Sequence, residues 1–443
     1  MLATGAVARC EPHHVAVTKP VPEWAVCFRL GWFLALASVG ACGDGPTTTS
    51  LPVDRIGRWQ LDVDSFARQL TELHPNPFHR IPRSRFESEI ATLRASVASR
   101  SDSDMVVGLM RILGMVSDSH TTIDLRSFTG FRQLPLRFEW FEDGIFVIGA
   151  TDAYREALGL RLVRMGDAPV EAVVEALSEV IPHENDSWLR FSLVSLLTIP
   201  EVLEAQSLIA DSSRVRLELQ RPDGNLMEIE IAAEPRQTLA LLDAGPAPES
   251  LPLYRQRPDE NYWLTFLEGS RTLYVQYRRA NDGGAESFSQ LSSRILETID
   301  AEGVRAVVLD LRNNTGGNSR LMEPLLIGLE ARPQWSSGEG LYTIIGRATF
   351  SSALINALDL KARARAILVG EPTGGKPNHY GQVSSFNLPA SAIRVFHSTR
   401  FFRLSLESDP PSLSPDVRAE IRFRDYREGR DPVLEKVLSF VGS

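Results

Sequence analysis

The sequence predicts a mixed α/β protein: a strand–helix layer around a largely parallel sheet, preceded by a helical domain and a small β-rich module. Three observations predict it. From about Tyr262 onward, apolar strand runs alternate with amphipathic stretches, the pattern of a parallel sheet with crossover helices. From about Val53 to Leu125 the apolar residues recur at helical spacing. From about Gln133 to Glu234 short alternating segments flank the turns Glu142-Asp143-Gly144 and Pro222-Asp223-Gly224.

The chain has 443 residues, enough for two to four domains at roughly 100–200 residues each. Hydrophobic residues make up 43% and charged residues 23%, so disorder is excluded as the main state. A formal net charge of −9 counts against a nucleic-acid or anionic-membrane surface, which needs a basic face. The three cysteines, Cys10, Cys27 and Cys42, all lie near the amino terminus. The body therefore has no cysteine nucleophile, thiolate zinc site or disulfide framework.

The amino terminus reads as an export signal. Arg9, Lys19 and Arg29 precede an uncharged run from Leu30 to Gly43, 14 residues long. A spanning helix needs roughly 17–25 residues, so this run fits an h-region instead. Val39-Gly40-Ala41-Cys42 resembles a bacterial lipobox, in which the cysteine becomes the lipidated first residue. Cleavage there leaves Cys42 as the one cysteine of the mature chain, and acylation removes its exposed thiol. A buried amphipathic start to the fold is the alternative. The expected organisation is signal peptide 1–41, tether 42–52, helical domain 53–128, β-rich module 129–236 and strand–helix layer 255–443. The expected location is the periplasmic side of a bacterial membrane, held there by the lipid alone.

In the helical domain, Leu61, Phe66, Leu70 and Leu73 mark a first helix, broken at His74-Pro75-Asn76-Pro77. Phe86, Ile90 and Leu93 mark a second, and Val106, Leu109, Ile112 and Leu113 a third, which runs into Ser117-Asp118-Ser119-His120-Thr121. His74 and His79 read as turn residues. The module has strands at Leu134–Phe141, Ile145–Ile148, Val215–Leu219 and Met227–Ile231, with a helix around Val173–Leu177. Its segment Leu162–Val170 resembles part of a PDZ domain, which captures extended peptides by strand addition; a plain β-rich spacer is the alternative.

The chemistry sits where strands of the last block end. The strand Ala306–Leu311 leads into Arg312-Asn313-Asn314-Thr315-Gly316-Gly317, whose glycines let backbone N–H groups face a crevice and hold a developing oxyanion. The strand Leu341–Ile345 leads through Gly346 to Thr349-Phe350-Ser351-Ser352, a serine at a helix start. The helix dipole there favours an alkoxide, although serine is equally a common N-cap. The strand Ala366–Val369 leads to Gly374-Gly375-Lys376-Pro377-Asn378-His379. A lysine has an ordinary pKa of about 10.4 and needs burial to act as a base near neutrality.

Together these segments resemble the tail-specific, or C-terminal-processing, serine peptidases. The matching parts are Asp310-Leu311-Arg312-Asn313-Asn314-Thr315-Gly316-Gly317, the nucleophile turn Thr349–Ala353 and Val369-Gly370-Glu371-Pro372-Thr373-Gly374-Gly375-Lys376. The 25-residue step from Ser351 to Lys376 is similar to that family's serine–lysine spacing and selects Ser351 over Ser352. The tricorn-like branch uses a histidine in a Ser-His pair, which Ser119-His120 resembles. That branch also places a carboxylate six residues before a Pro-Asp pair, to orient the histidine through a serine. Here Asp409 stands six before Pro415-Asp416, with Glu407 nearby.

The resemblance implies a crotonase/ClpP-like catalytic layer and a serine-type peptidase acting on polypeptides. Ser351 is the implied nucleophile, with His120 or Lys376 as base, Ser119 and Asp409 in support, and Gly316 and Gly317 as oxyanion donors. His120 is the better base, because an ordinary histidine pKa of about 6.5 needs no downward shift. No metal, nucleotide or redox cofactor is implied. Two departures, Leu354 in place of a glutamate and Gln382 six residues after Lys376, motivate an alternative: an inactive peptide- or small-ligand-binding protein on the same fold. An acyl-transfer enzyme of the crotonase type is a weaker third reading, since no acyl-carrier site is visible.

Overall fold

The computed structural model describes residues 52, 54–301 and 303–442. The proposed signal, Cys42 and nearly all of the tether lie outside them. No helix among the described residues is long and apolar enough to cross a membrane.

The last block is built on a six-stranded sheet in the order 262–267, 272–277, 306–310, 341–345, 367–370, 417–418. The first pair is antiparallel and every later pair is parallel. Alternation along one strand sets the layers, because successive side chains point to opposite faces. Val307 and Leu309 pack with Leu291, Ile295, Leu325, Ala353 and Leu360 of the helices Phe288–Ala301, Glu323–Glu330 and Ser352–Ala364. Ala306 and Val308 face the other way, against Val433, Leu434 and Val437 of the helix Pro432–Val441. This is the expected α/β layer.

The three helices of the first block are Arg55–Leu73, Arg83–Ala95 and Asp102–Val116. Ser101 and Asp104 start the third with reciprocal capping bonds, and Ser117 ends it in the left-handed region at φ 57°. The module is an antiparallel sheet in the order 242–243, 144–150, 161–165, 214–220, 226–232, with 136–141 also on 144–150. Its helices are Val170–Ser178, Asp186–Leu196 and Pro200–Ala205.

Two features differ from the sequence reading. A single hydrophobic core runs from Trp59 and Phe66 through Leu109 and Leu162 to Leu217, so the helical and β-rich blocks share one interior. The segment after Lys376 is a long antiparallel hairpin, Asn378–Asn387 with Arg394–Arg403. Phe386, Leu388, Ile393 and Val395 of this hairpin join that same interior. Asp62 of the first helix accepts the N–H groups of Ala390 and Ser391 at the hairpin tip, at 2.7 and 2.8 Å. Thr122 and Ile123 pair with Phe396 and Val395. The hairpin thus carries residues of the last block back onto the first.

Arg312 anchors the turn at the end of strand 306–310. Its guanidinium is buried, 2.7 Å from Asp310 and bonded by both Nη atoms to Asp431 at 2.8 and 2.9 Å. Asp431 also caps the helix Pro432–Val441 through the Leu434 N–H. Removing one partner of a buried ionic cluster strands the others at a cost of about 3–5 kcal/mol. Arg312→Ala is therefore expected to lower the urea-unfolding free energy by that amount; a loss below about 1 kcal/mol is the surface-pair result and would refute this anchoring role.

Candidate active site

Ser351 sits between strand 341–345 and the helix Ser352–Ala364. Its backbone is at φ 51°, ψ −123°, a region costly for any residue with a Cβ. It occupies the N-cap position, yet its hydroxyl makes no capping bond. The turn is pinned on several sides. Thr349 Oγ1 donates to the Leu311 carbonyl at 2.9 Å and accepts the Gly346 N–H at 3.0 Å. The Phe350 N–H donates to Asn314 O at 3.1 Å, and the Gly375 N–H to Thr349 O at 3.0 Å.

Gly316 packs directly on this serine. A Cβ there would lie 2.8 Å from Ser351 Cβ and 3.1 Å from Ser352 N, and φ is +113°. The Gly316 N–H, expected as an oxyanion donor, is already taken by Asn314 Oδ1 at 2.9 Å. Gly317 lies at φ +136°, and its carbonyl accepts from Ser352 Oγ at 2.6 Å. Among the described hydrogen bonds, neither Gly317 N–H nor Ser352 N–H has an acceptor.

His120 arrives from the end of the third helix. Its ring stacks on Phe350, the residue before Ser351, with centroids 4.2 Å apart. Phe350 stacks in turn on Trp188 at 3.8 Å, and the other face of His120 meets His379 at 5.4 Å. Both ring nitrogens are buried and neither completes a hydrogen bond. Burial lowers the imidazole pKa to about 4; His379 adds to the drop, and the Asp118 charge and the Tyr380 backbone offset part of it.

Asp118 is the carboxylate beside this histidine. It is fully buried. Its Oδ1 accepts the His120 N–H at 3.0 Å and lies 3.9 Å from His120 Nδ1. Its Oδ2 accepts from Thr121 Oγ1 at 2.5 Å, Ser398 Oγ at 2.7 Å and His74 Nε2 at 2.9 Å. The Asn76 N–H donates to His74 Nδ1, so His74 Nε2 is the nitrogen carrying the proton toward Asp118. Burial alone would raise the Asp118 pKa; His74, His120, Thr121 and Ser398 together bring it below the ordinary value.

Lys376 and Asp409 occupy a different position from the one expected. The Lys376 ammonium pairs with Asp409 Oδ2 at 2.6 Å, so Asp409 supports the lysine rather than His120. Ser119 Oγ is buried without a partner, and Glu407 is exposed. Lys376, Asp409, Glu184, His379, Arg80 and Arg403 line a cleft of about 340 Å³. Among the described residues no group of three or more His, Cys, Asp or Glu side chains could hold a metal ion.

The sequence reading passed over Asp118, His74, Trp188 and Glu184. His74 stands before a proline and carries a turn signal, which hides its buried role. Glu184 accepts the Ser119 N–H at 3.3 Å. Burial pushes its carboxyl up to about 8; the Asp118 charge adds to this, and Ser119 N–H and Lys376 oppose it.

Solved structures share this fold. Mature CPAF matches with a TM-score of 0.59 at 13% identity, covering 87% of this chain and 97% of that one. Mature CPAF complexed with lactacystin matches with a TM-score of 0.61 at 13% identity, covering 87% and 98%. The photosystem II D1 C-terminal processing protease matches over 87% and 97% at 16% identity, with a TM-score of 0.40. No family model matches the sequence, and no curated protein matches it significantly. The chain therefore shares the fold of mature CPAF.

Glu184 and His120 tilt stability in opposite directions. Between pH 4.5 and about 8 the folded chain keeps a proton on Glu184 that the unfolded chain has released, so this contribution falls as pH rises. Between pH 6.5 and about 4 the unfolded chain protonates His120 and the folded chain does not, so that contribution falls as pH drops. The two offset one another from pH 4.5 to 6.5. Above 6.5 only Glu184 acts. The urea-unfolding free energy of Glu184→Gln, relative to the parent chain, is expected to climb from pH 6.5 to 8. A difference that stays level over this span would remove Glu184 from the account.

Proposed function

We propose that this chain is a serine-type peptidase that hydrolyses peptide bonds of polypeptides. The carrying observation is the strained Ser351 at a helix start, set beside the Gly316-Gly317 turn and next to Phe350, whose ring stacks on the buried His120. Ser351 Oγ attacks the scissile carbonyl. His120, uncharged at neutral pH, takes the hydroxyl proton, and the Asp118 charge opposes the loss of basicity that burial causes. Asp118 fixes the backbone of His120 and faces the imidazolium that forms. The N–H groups of Gly317 and Ser352 receive the oxyanion, and one such donor is typically worth about 10²–10³ in rate. Gly316 serves by leaving room for Ser351. Lys376, paired with Asp409, supplies positive charge to the adjoining cleft. The module is read as the element that presents an extended segment, in the manner of PDZ domains.

A fluorophosphonate probe is expected to label the parent chain and to spare Ser351→Ala, with the circular-dichroism spectrum unchanged. Labelling that survives in the alanine variant excludes Ser351 as the nucleophile. No labelling of the correctly folded parent chain favours the ligand-binding alternative on this fold.

We further propose that the chain is exported and anchored through a lipid on Cys42, which places the body on the periplasmic side of a bacterial membrane. Metabolic palmitate labelling should mark the parent chain and be lost in Cys42→Ser. Equal labelling of both would exclude this anchor.

A further inference from the structure

A second cavity, of about 520 Å³, lies between the β-rich module and the carboxyl ends of the parallel strands. Its size falls in the range of small-molecule sites, and strand carboxyl ends are where ligands settle in parallel sheets. Ser351, His120, Gly316 and Gly317 do not line it. One part of its wall is apolar: Phe141, Ile148 and Phe191 from the module, with Ile344, Ile345 and Ile421 from the sheet side.

The rest of the wall carries guanidinium groups with unused donors: Arg255 Nη1 and Arg278 Nε are buried without a hydrogen-bond partner. Arg137 and Arg255 share one carboxylate, Asp243, at 2.6 and 2.9 Å. The Arg278 guanidinium donates through Nη2 only to the carbonyls of Tyr254 at 2.8 Å and Gln256 at 3.3 Å. Among the described residues Arg278 has no carboxylate partner. Among the described residues, Asp243 is the one carboxylate within ion-pair distance of these three guanidinium groups, with Asp310 and Asp259 acting on Arg278 from farther off. The other two arginines of the wall are engaged elsewhere: Arg312 by two carboxylates, Asp310 and Asp431, and Arg347 by Glu371 at 2.5 Å. The remaining acid, Glu139, has its carboxyl pushed up by burial, with Arg347 opposing. A guanidinium fork matches a carboxylate in shape as well as charge.

We propose that this cavity binds a small amphipathic carboxylate, with its head on Arg278 and the Arg137–Arg255 pair and its apolar body against Phe141, Ile148, Phe191 and Ile421. Such a ligand bridges the module and the sheet, because Arg137 and Phe191 belong to one and Arg278 and Ile421 to the other. Arg347 lies four residues before Ser351, so occupancy is one step from the nucleophile turn.

Decanoate is the probe, titrated calorimetrically into the full chain, with decanol as its uncharged counterpart and acetate as the head alone. One saturable site for decanoate is expected, with decanol and acetate both far weaker. Arg278→Gln is expected to weaken decanoate by roughly 10–100-fold, the range for losing hydrogen bonds to a charged group. Should that variant fail to fold, the half-exposed Arg137→Gln carries the same test, with a smaller but measurable weakening. The proposal is overturned by the absence of saturable decanoate binding, by equal binding of decanol, or by affinity unchanged in the folded variants. None of these outcomes depends on catalytic activity, so the peptidase reading stands or falls separately.

Discussion

A column of stacked rings holds the candidate site together. Trp188, Phe350, His120, His379 and Phe402 follow one another with centroid spacings of 3.8, 4.2, 5.4 and 5.2 Å. They come from the module, the turn before the helix Ser352–Ala364, the end of the third helix and the two strands of the hairpin. Each stacked pair contributes about 0.5–1.5 kcal/mol beyond its buried area. The larger effect is positional. With Phe350 fixed between Trp188 and His120, the next residue, Ser351, has its place decided from both sides. Asp118 completes this by tying His120, Thr121, Ser398 and His74 to one buried carboxylate.

The strain at Ser351 is intelligible against this background. A non-glycine residue in such a conformation costs about 1–3 kcal/mol and persists only where its surroundings over-determine it. Here the carbonyls of Leu311 and Asn314 and the N–H of Gly375 bond the turn from two other segments. The helix that follows buries Ala353, Ala357 and Leu360 against the sheet. In this conformation the hydroxyl makes no capping bond to its own helix. The glycine at 316 belongs to the same arrangement, since the space it vacates is where Ser351 Cβ comes to rest.

Much of this was readable along the chain where the cause is local. The apolar strand Ala306–Leu311, the glycine pair after it and the serine at the head of a helix each follow from neighbouring residues. The third helix and its Ser119-His120 end were equally legible. What escaped was what topology brings from afar. Asp118 and Ser398 are 280 positions apart, and Asn185 bonds the carbonyls of Gly374 and Pro411. Glu184 carries no sequence signal of its own, and burial is what sets it apart. Asp409 had the right spacing for one partner and found another, because Lys376 enters the same cleft and is the nearer charge. Gly316 looked like a donor, but the asparagine two residues earlier already accepts its N–H. Spacing identifies which residues can meet; competition for partners decides which do.

The fastening of the hairpin tip to Asp62 spans 328 residues of sequence. Ser398 and His379, which complete the surroundings of Asp118 and His120, hang from that fastening. A polypeptide still emerging from synthesis, and lacking residues 378–403, carries Ser119-His120 without the His379 ring and without Ser398 on Asp118. Long-range closures of this kind form late, because chain entropy opposes them until most of the interior exists. The surroundings of Asp118 and His120 are therefore completed only once this hairpin has docked.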